Sequence, residues 1–297
     1  MQVSEKHIRE YNAFGPWILT VKTSDEIPDA FSDRLLLDDS ILTAFKVPIK
    51  VDRRKTKASN DLYDYLVVLY PENLKIMYRL EEPQNSIIIP YCNILAISKL
   101  VDLLQGELTL LLRNRKITIP FNSVSEDIID DVISILENHC CFETELELPQ
   151  ANTSLSSLSM LYSNLIRKEK KCGDLTLISY QPTFKTEKIK NNLWEQLSEI
   201  FFRYTIRESM ILADAHKFII YNSIPQIVKY SKGHYGYTRT VVPRNLITRV
   251  SVTQSSTCIG ILNIILEIGG GNITFTVGKE GIPDSLVSSF INSHLDG

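Results

Sequence analysis

The chain has 297 residues, 44% hydrophobic and 23% charged, with a formal net charge of −3 at pH 7. That length predicts two domains or one large one, and the composition excludes a disordered, collagen-like or coiled-coil chain. The near-neutral charge excludes a global pull toward nucleic acid or an anionic bilayer, so any such binding must come from a local patch. Cys92, Cys140, Cys141, Cys172 and Cys258 show no CxxC spacing, which fits neither a disulfide framework nor a zinc ribbon and predicts reduced thiols. The stretch up to Gly15 has no apolar h-region, and the apolar run Ile259–Leu266 is broken by Gly260 and Asn263. The expectation is a cytoplasmic chain, at most peripheral to a membrane, without signal peptide or transmembrane helix.

In chain order, the first dense feature is the cluster Lys50-Val51-Asp52-Arg53-Arg54-Lys55-Thr56-Lys57, between the apolar runs 41–51 and 62–70. Leu66–Tyr70 and Leu74–Tyr78 are apolar and aromatic runs split by Pro71-Glu72-Asn73, the signature of a hairpin. Ile87–Ile89, Ile94–Ser98, Glu107–Leu112 and Lys116–Phe121 follow as strand-length runs. Ser125 is the expected N-cap of a helix whose apolar face carries Ile128, Val132, Ile135 and Leu136. Residues 142–171 read as a polar linker that becomes an amphipathic helix, with Leu155, Leu158, Tyr162, Leu165 and Ile166 on one face and Arg167, Lys168, Lys170 and Lys171 at its end. This is a helix packed on a sheet or, alternatively, one lying on a membrane surface. Residues 187–204 form another amphipathic stretch, read as a helical insertion. Gly269-Gly270-Gly271 marks a hairpin tip rather than a phosphate cradle, because the strand pattern Ile273, Phe275, Val277 follows instead of a helix. Pro283, Leu286, Phe290, Ile291 and Leu295 predict a second closing helix.

The two halves repeat one order of elements. Pairing Pro90 with Pro243 puts Ile94 on Ile247 and Ile97 on Val250; further on, Gly106 meets Gly260 and Leu110–Leu112 meets Ile264–Leu266. Upstream, Tyr78 pairs with Tyr221. We read a tandem duplication.

Both copies resemble the pleckstrin-homology-like (PH-like) domain in its bacterial version. The resemblance rests on the stretches IIIPYCNILAI and VVPRNLITRV, on GELTLLL and GILNIIL, and on the short hairpin and terminal helix after them. It implies a mainly β fold with some helix: two seven-stranded, partly open barrels, each capped by a C-terminal helix and joined by a helical linker. The boundaries are 15–141 and 172–297, with linker 142–171. The resemblance further implies a binding or scaffolding module rather than an enzyme, with a protein partner or an anionic headgroup as ligand.

By position, the family's headgroup sites direct attention to the loop carrying Lys50, Arg53, Arg54, Lys55 and Lys57. Hydroxyls at Thr56 and Ser59 would add phosphate hydrogen bonds; the other reading is a solvated basic loop. In the second copy, Tyr230, Tyr235 and Tyr237, with Arg239 and Arg244, are the expected partner contacts. No nucleic-acid partner, metal or cofactor is expected. The histidines show no HxH or HxxxH spacing, and no GxSxG, P-loop or Rossmann motif occurs. An enzyme site would have to be assembled from dispersed residues. Self-association through unpaired strand edges or the 187–204 helix remains open.

Overall fold

The computed structural model describes residues 4–79, 86–140, 158–171, 173–187, 204–228, 236–256 and 258–278. The chain begins with α1 (Glu5–Ala13), β1 (Leu19–Thr20), α2 (Asp29–Ser32), β2 (Thr43–Pro48), β3 (Tyr63–Leu69), β4 (Asn73–Tyr78) and β5 (Ser86–Pro90). It continues through β6 (Ile94–Asp102), β7 (Gln105–Leu112), β8 (Lys116–Asn122), α3 (Glu126–His139) and α4 (Met160–Glu169). Then come β9 (Thr176–Gln181), β10 (Phe184–Thr186), β11 (Tyr204–Ile206), β12 (Ser209–Ala213), β13 (Lys217–Ile224) and β14 (Ile227–Val228). The last described strands are β15 (Gly236–Pro243), β16 (Ile247–Gln254), β17 (Ile261–Ile268) and β18 (Gly271–Gly278). The fold is mainly β, and among the described residues its sheets are open rather than closed into barrels. The insertion at 188–203 and the second closing helix lie outside the described residues.

Two compact units are present. The first holds Met1–Ile94, Leu104–Leu108 and Thr118–Cys141; the second holds Leu95–Leu103, Thr109–Ile117 and Phe142–Gly297. Residues 95–103 and 109–117, counted with the first copy from the sequence, therefore lie in the second unit.

In the first unit, β1-β2-β3-β4-β5 form an antiparallel sheet in that order. Its core gathers Phe14, Phe31, Leu62, Leu66, Val68 and Met77. Alternation explains which residues face inward, since side chains two apart share a face. Helix α3 buries Ile129, Val132, Ile133 and Leu136, an i, i+3, i+4, i+7 stripe; Ile128 and Ile135, expected in that stripe, sit at its half-buried margins. Ser125 is the N-cap residue but its side chain makes no capping bond. Its hydroxyl instead accepts the Ile18 N–H at 2.8 Å, a buried contact that ties the N-terminal segment to the start of α3.

In the second unit, β6-β15-β13-β12-β9 are hydrogen-bonded in that order, and β16-β17-β18 make a separate three-stranded sheet. Ile178, Ile211, Phe218, Ile220, Ile264 and Phe275 belong to one core cluster. The turn from β17 to β18 is made by Gly269 and Gly270, at φ 51° and 98°. Such positive φ values strain residues with a Cβ.

The ladders show how far the halves match. Asn73 pairs with Pro90 in one sheet and Lys217 with Pro243 in the other. From these prolines Ile76 corresponds to Ile220 and Met77 to Tyr221, one residue away from the expected match of Tyr78 with Tyr221. The shift has a physical reason: a one-residue slip exchanges the faces of a strand, and Met77 and Tyr221 are both buried whereas Tyr78 is half-buried. The same register carries through β3 and β12 to Thr43 and Thr176, with an irregularity in each outer ladder, between Val47 and Pro48 and between Ile211 and Leu212. Each proline caps a 3-10 turn, Tyr91–Asn93 or Arg244–Leu246, that leads into β6 or β16.

Candidate functional site

Strands β2 and β3 are antiparallel neighbours, and the basic cluster forms the connection between them. Its shape comes from local hydrogen bonds. Asp52 accepts the Arg54 N–H at 2.9 Å, capping a 3-10 turn over Arg53–Lys55. The Thr56 hydroxyl donates to the Arg53 carbonyl at 2.7 Å. Thr56 is buried inside the turn, so its hydroxyl serves the turn. Arg53 reaches back to α1, donating to the Tyr11 carbonyl at 3.3 Å with its guanidinium 5.5 Å from the Tyr11 ring centroid. Lys50, Arg53, Arg54, Lys55 and Lys57 are all exposed. Val51 among them is 46% exposed.

A buried ionisable group, missed in the sequence, joins α1 to β2 and β3. Glu10, Lys46 and Tyr63 are all under 10% exposed. Lys46 donates to the Glu26 carbonyl at 2.7 Å and stands 4.6 Å from the Tyr63 ring centroid. Its Nζ lies 3.9 Å from Glu10 Oε1. That oxygen and the Tyr63 hydroxyl have no hydrogen-bond partner. Burial raises the pKa of Glu10, and the nearby Lys46 only partly offsets it; burial likewise lowers Lys46 and raises Tyr63. Glu10 and Lys46 also line a cleft of about 470 Å³ with Lys6, Arg9, Asp25 and Glu26. One signal was available: Lys46 is the single charge in the strand TAFKVP, in which a buried lysine demands partners.

The expected partner-contact residues of the second copy fall elsewhere. Tyr230 and Tyr235 lie outside the described residues. Tyr237, Arg239 and Arg244 are buried, not exposed, and each has an internal role. Arg239 makes a bidentate pair with Glu169 of α4, Nε to Oε1 at 2.6 Å and NH2 to Oε2 at 3.0 Å. The Tyr221 hydroxyl donates to the same carboxylate at 2.5 Å. Burial pushes Glu169 up, but the hydrogen bonds and charge of Arg239, together with the Tyr221 hydrogen bond and the Lys217 charge, outweigh it and hold the carboxyl below its ordinary value. Arg244 donates to the Asp214 and Ala215 carbonyls at 3.0 and 3.4 Å and lies over the Phe218 ring. Tyr237 lies beside Tyr221, the rings tilted with centroids 5.9 Å apart.

Helix α4 is thus attached to the second unit. Tyr162 donates to the Glu208 carbonyl at 2.8 Å, and Tyr162, Leu165, Ile166 and Glu169 are its buried residues. Of the apolar stripe that suggested a membrane-surface helix, Tyr162, Leu165 and Ile166 are buried within the protein, Leu158 precedes the helix and is half-buried, and Leu155 lies outside the described residues.

His216 sits half-buried at the β12–β13 turn, its N–H donating to Asp214. Among the described residues no group of His, Cys, Asp or Glu is placed to hold a metal ion. No helix among them is long and apolar enough to cross a membrane. The sequence matches no protein-family model and no curated protein.

Proposed function

We propose that the chain is a non-enzymatic binding protein built from two PH-like modules, and that the β2–β3 turn of the first recognises a phosphate-bearing anionic headgroup. One observation carries the reading: five exposed cations, Lys50, Arg53, Arg54, Lys55 and Lys57, cluster in the β2–β3 connection, and the central three sit on a 3-10 turn already shaped by Asp52 and Thr56. Pre-organisation reduces the entropy lost on binding, and guanidinium groups suit phosphate oxygens. The exposed Val51 adds an apolar contact suited to a lipid surface. The PH-like assignment is supported by the matched registers on either side of Pro90 and Pro243.

Co-sedimentation of the full chain with vesicles tests this, comparing purely zwitterionic lipid with lipid containing an anionic phosphoinositide. Binding is expected only to the anionic vesicles. Each interfacial cation contributes about 1 kcal/mol, so Arg53→Ala/Arg54→Ala should weaken binding about 30-fold. Competition by inorganic phosphate separates the sources of the ligand: displacement at millimolar phosphate indicates a free-phosphate site, whereas its failure indicates the headgroup in its bilayer. Equal binding to both vesicle types, or none, overturns the proposal.

A further inference from the structure

Strand β6 is covered along one edge by β15 within the second unit. Val241 stands opposite Ile97, Thr240 opposite Ser98 and Arg239 opposite Lys99, and the Ser98 and Thr240 hydroxyls are 2.9 Å apart. These two strands hold different places in the repeated plan. Strand β6 follows the proline-capped turn at Pro90, and β15 precedes the one at Pro243. The repeat counterpart of β6 is therefore β16, and that of β15 is β5. Both counterparts are terminal strands: β5 ends the sheet β1-β2-β3-β4-β5 and β16 ends the sheet β16-β17-β18. Among the described residues, each pairs on one side only.

We propose that the chain self-associates head to tail, the β5 edge of one copy adding to the β16 edge of the next in the antiparallel arrangement that β15 and β6 already adopt. Counting from Pro90 and Pro243, Ile88 falls opposite Val250, Ile87 opposite Ser251 and Ser86 opposite Val252 in the next copy. Two features of the edges fit this occupant. Exposed edge strands are ordinarily guarded by charges or proline, yet β5 reads SIIIP with no charge and its proline only at the last position, and β16 carries only Arg249, which pairs at 3.9 Å with Glu267 on its neighbour β17. Both edges also expose apolar side chains, Ile88 at 59% and Val252 at 38%.

The charges agree as well. In the internal junction Arg239 faces Lys99, and like charges directly opposite repel; Glu169 is there to bind Arg239. At the proposed junction Ser86 faces Val252, so no acidic clamp is required. Because the two surfaces differ, the contact is heterologous and leads to a ring or an open filament rather than a two-fold dimer.

Sedimentation equilibrium of the full chain from about 1 µM to about 1 mM, the range in which weak edge contacts register, provides the test. The average mass should rise past that of a dimer. Ile88→Lys and Val252→Lys each place a charge at one edge and should each keep the chain monomeric, with unchanged circular dichroism and Tm. Mixed in equal amounts, the two variants should form dimers and stop there, because each retains the edge the other lacks. The proposal is overturned if the unmodified chain stays monomeric throughout, if either variant still assembles, or if the mixture yields no dimer. Vesicle binding by the β2–β3 turn is independent of these edges, so each proposal can fail alone.

Discussion

At the scale of single residues, the buried charges are the most exacting features. Arg239 was expected at a surface, but in the fold it neutralises Glu169 inside the second unit. Replacing one partner of such a pair leaves the other charge buried and uncompensated, so Arg239→Met should lower stability by about 3–5 kcal/mol in urea unfolding; a loss below about 1 kcal/mol would contradict the pairing. The pH dependence follows from the same carboxylate. Glu169 is held below 4.5 in the folded protein, so the unfolded chain takes up its proton first as the pH falls. Its contribution is complete above about pH 4.5 and is lost as acid titrates it through the native value. Urea midpoints from about pH 6 down to about pH 3 should fall for the unmodified protein, and Glu169→Gln should flatten that part of the profile. Glu10 acts in the opposite sense. Its pKa is raised above 4.5 by burial, so its charged form opposes folding above the native value, and protonation relieves that cost as the pH falls toward 4.5.

Elements were legible where periodicity was strong. The 66–78 hairpin, the strands after Pro90 and Pro243, the β17–β18 turn and α3 all follow from alternation, turn chemistry and a 3.6-residue stripe. The exact face of α3 was less legible, because Ile128 and Ile129 are equally apolar and only tertiary packing selects Ile129 for burial. Gly106 and Gly260 match in the repeat for different reasons. Gly260 has φ 71° and lies in open space, while a Cβ on Gly106 would come within 2.3 Å of the Phe121 ring. Overpacking of that kind typically costs about 1–3 kcal/mol. Gly106→Ala should therefore destabilise the first unit by that amount in thermal unfolding, and Gly106→Ala/Phe121→Leu should recover part of it; no loss in the single variant would mean that the Phe121 ring moves away freely.

For the whole molecule, a net charge of −3 makes any anion binding local, and it separates two behaviours by their response to salt. Capture by anionic vesicles through Lys50, Arg53, Arg54, Lys55 and Lys57 should decline steeply from about 50 mM to about 500 mM salt as the charges are screened. Head-to-tail association through β5 and β16, whose one charged side chain, Arg249, is paired with Glu267 of its own sheet, should change little over that range. A salt response shared by both would show that the basic turn takes part in assembly.

Read alone, the sequence determined the mainly β class, the strands and turns around Pro90 and Pro243, and the exposed basic cluster, because alternation, proline geometry and charge clustering act over a few neighbouring residues. Tertiary structure decided which charges are buried, that β6 pairs with β15, and that Tyr237, Arg239 and Arg244 face inward. Those outcomes depend on residues far apart in the chain, such as Glu169 and Arg239 or Glu10 and Lys46, and burial of a charge is settled only when its partner arrives with it.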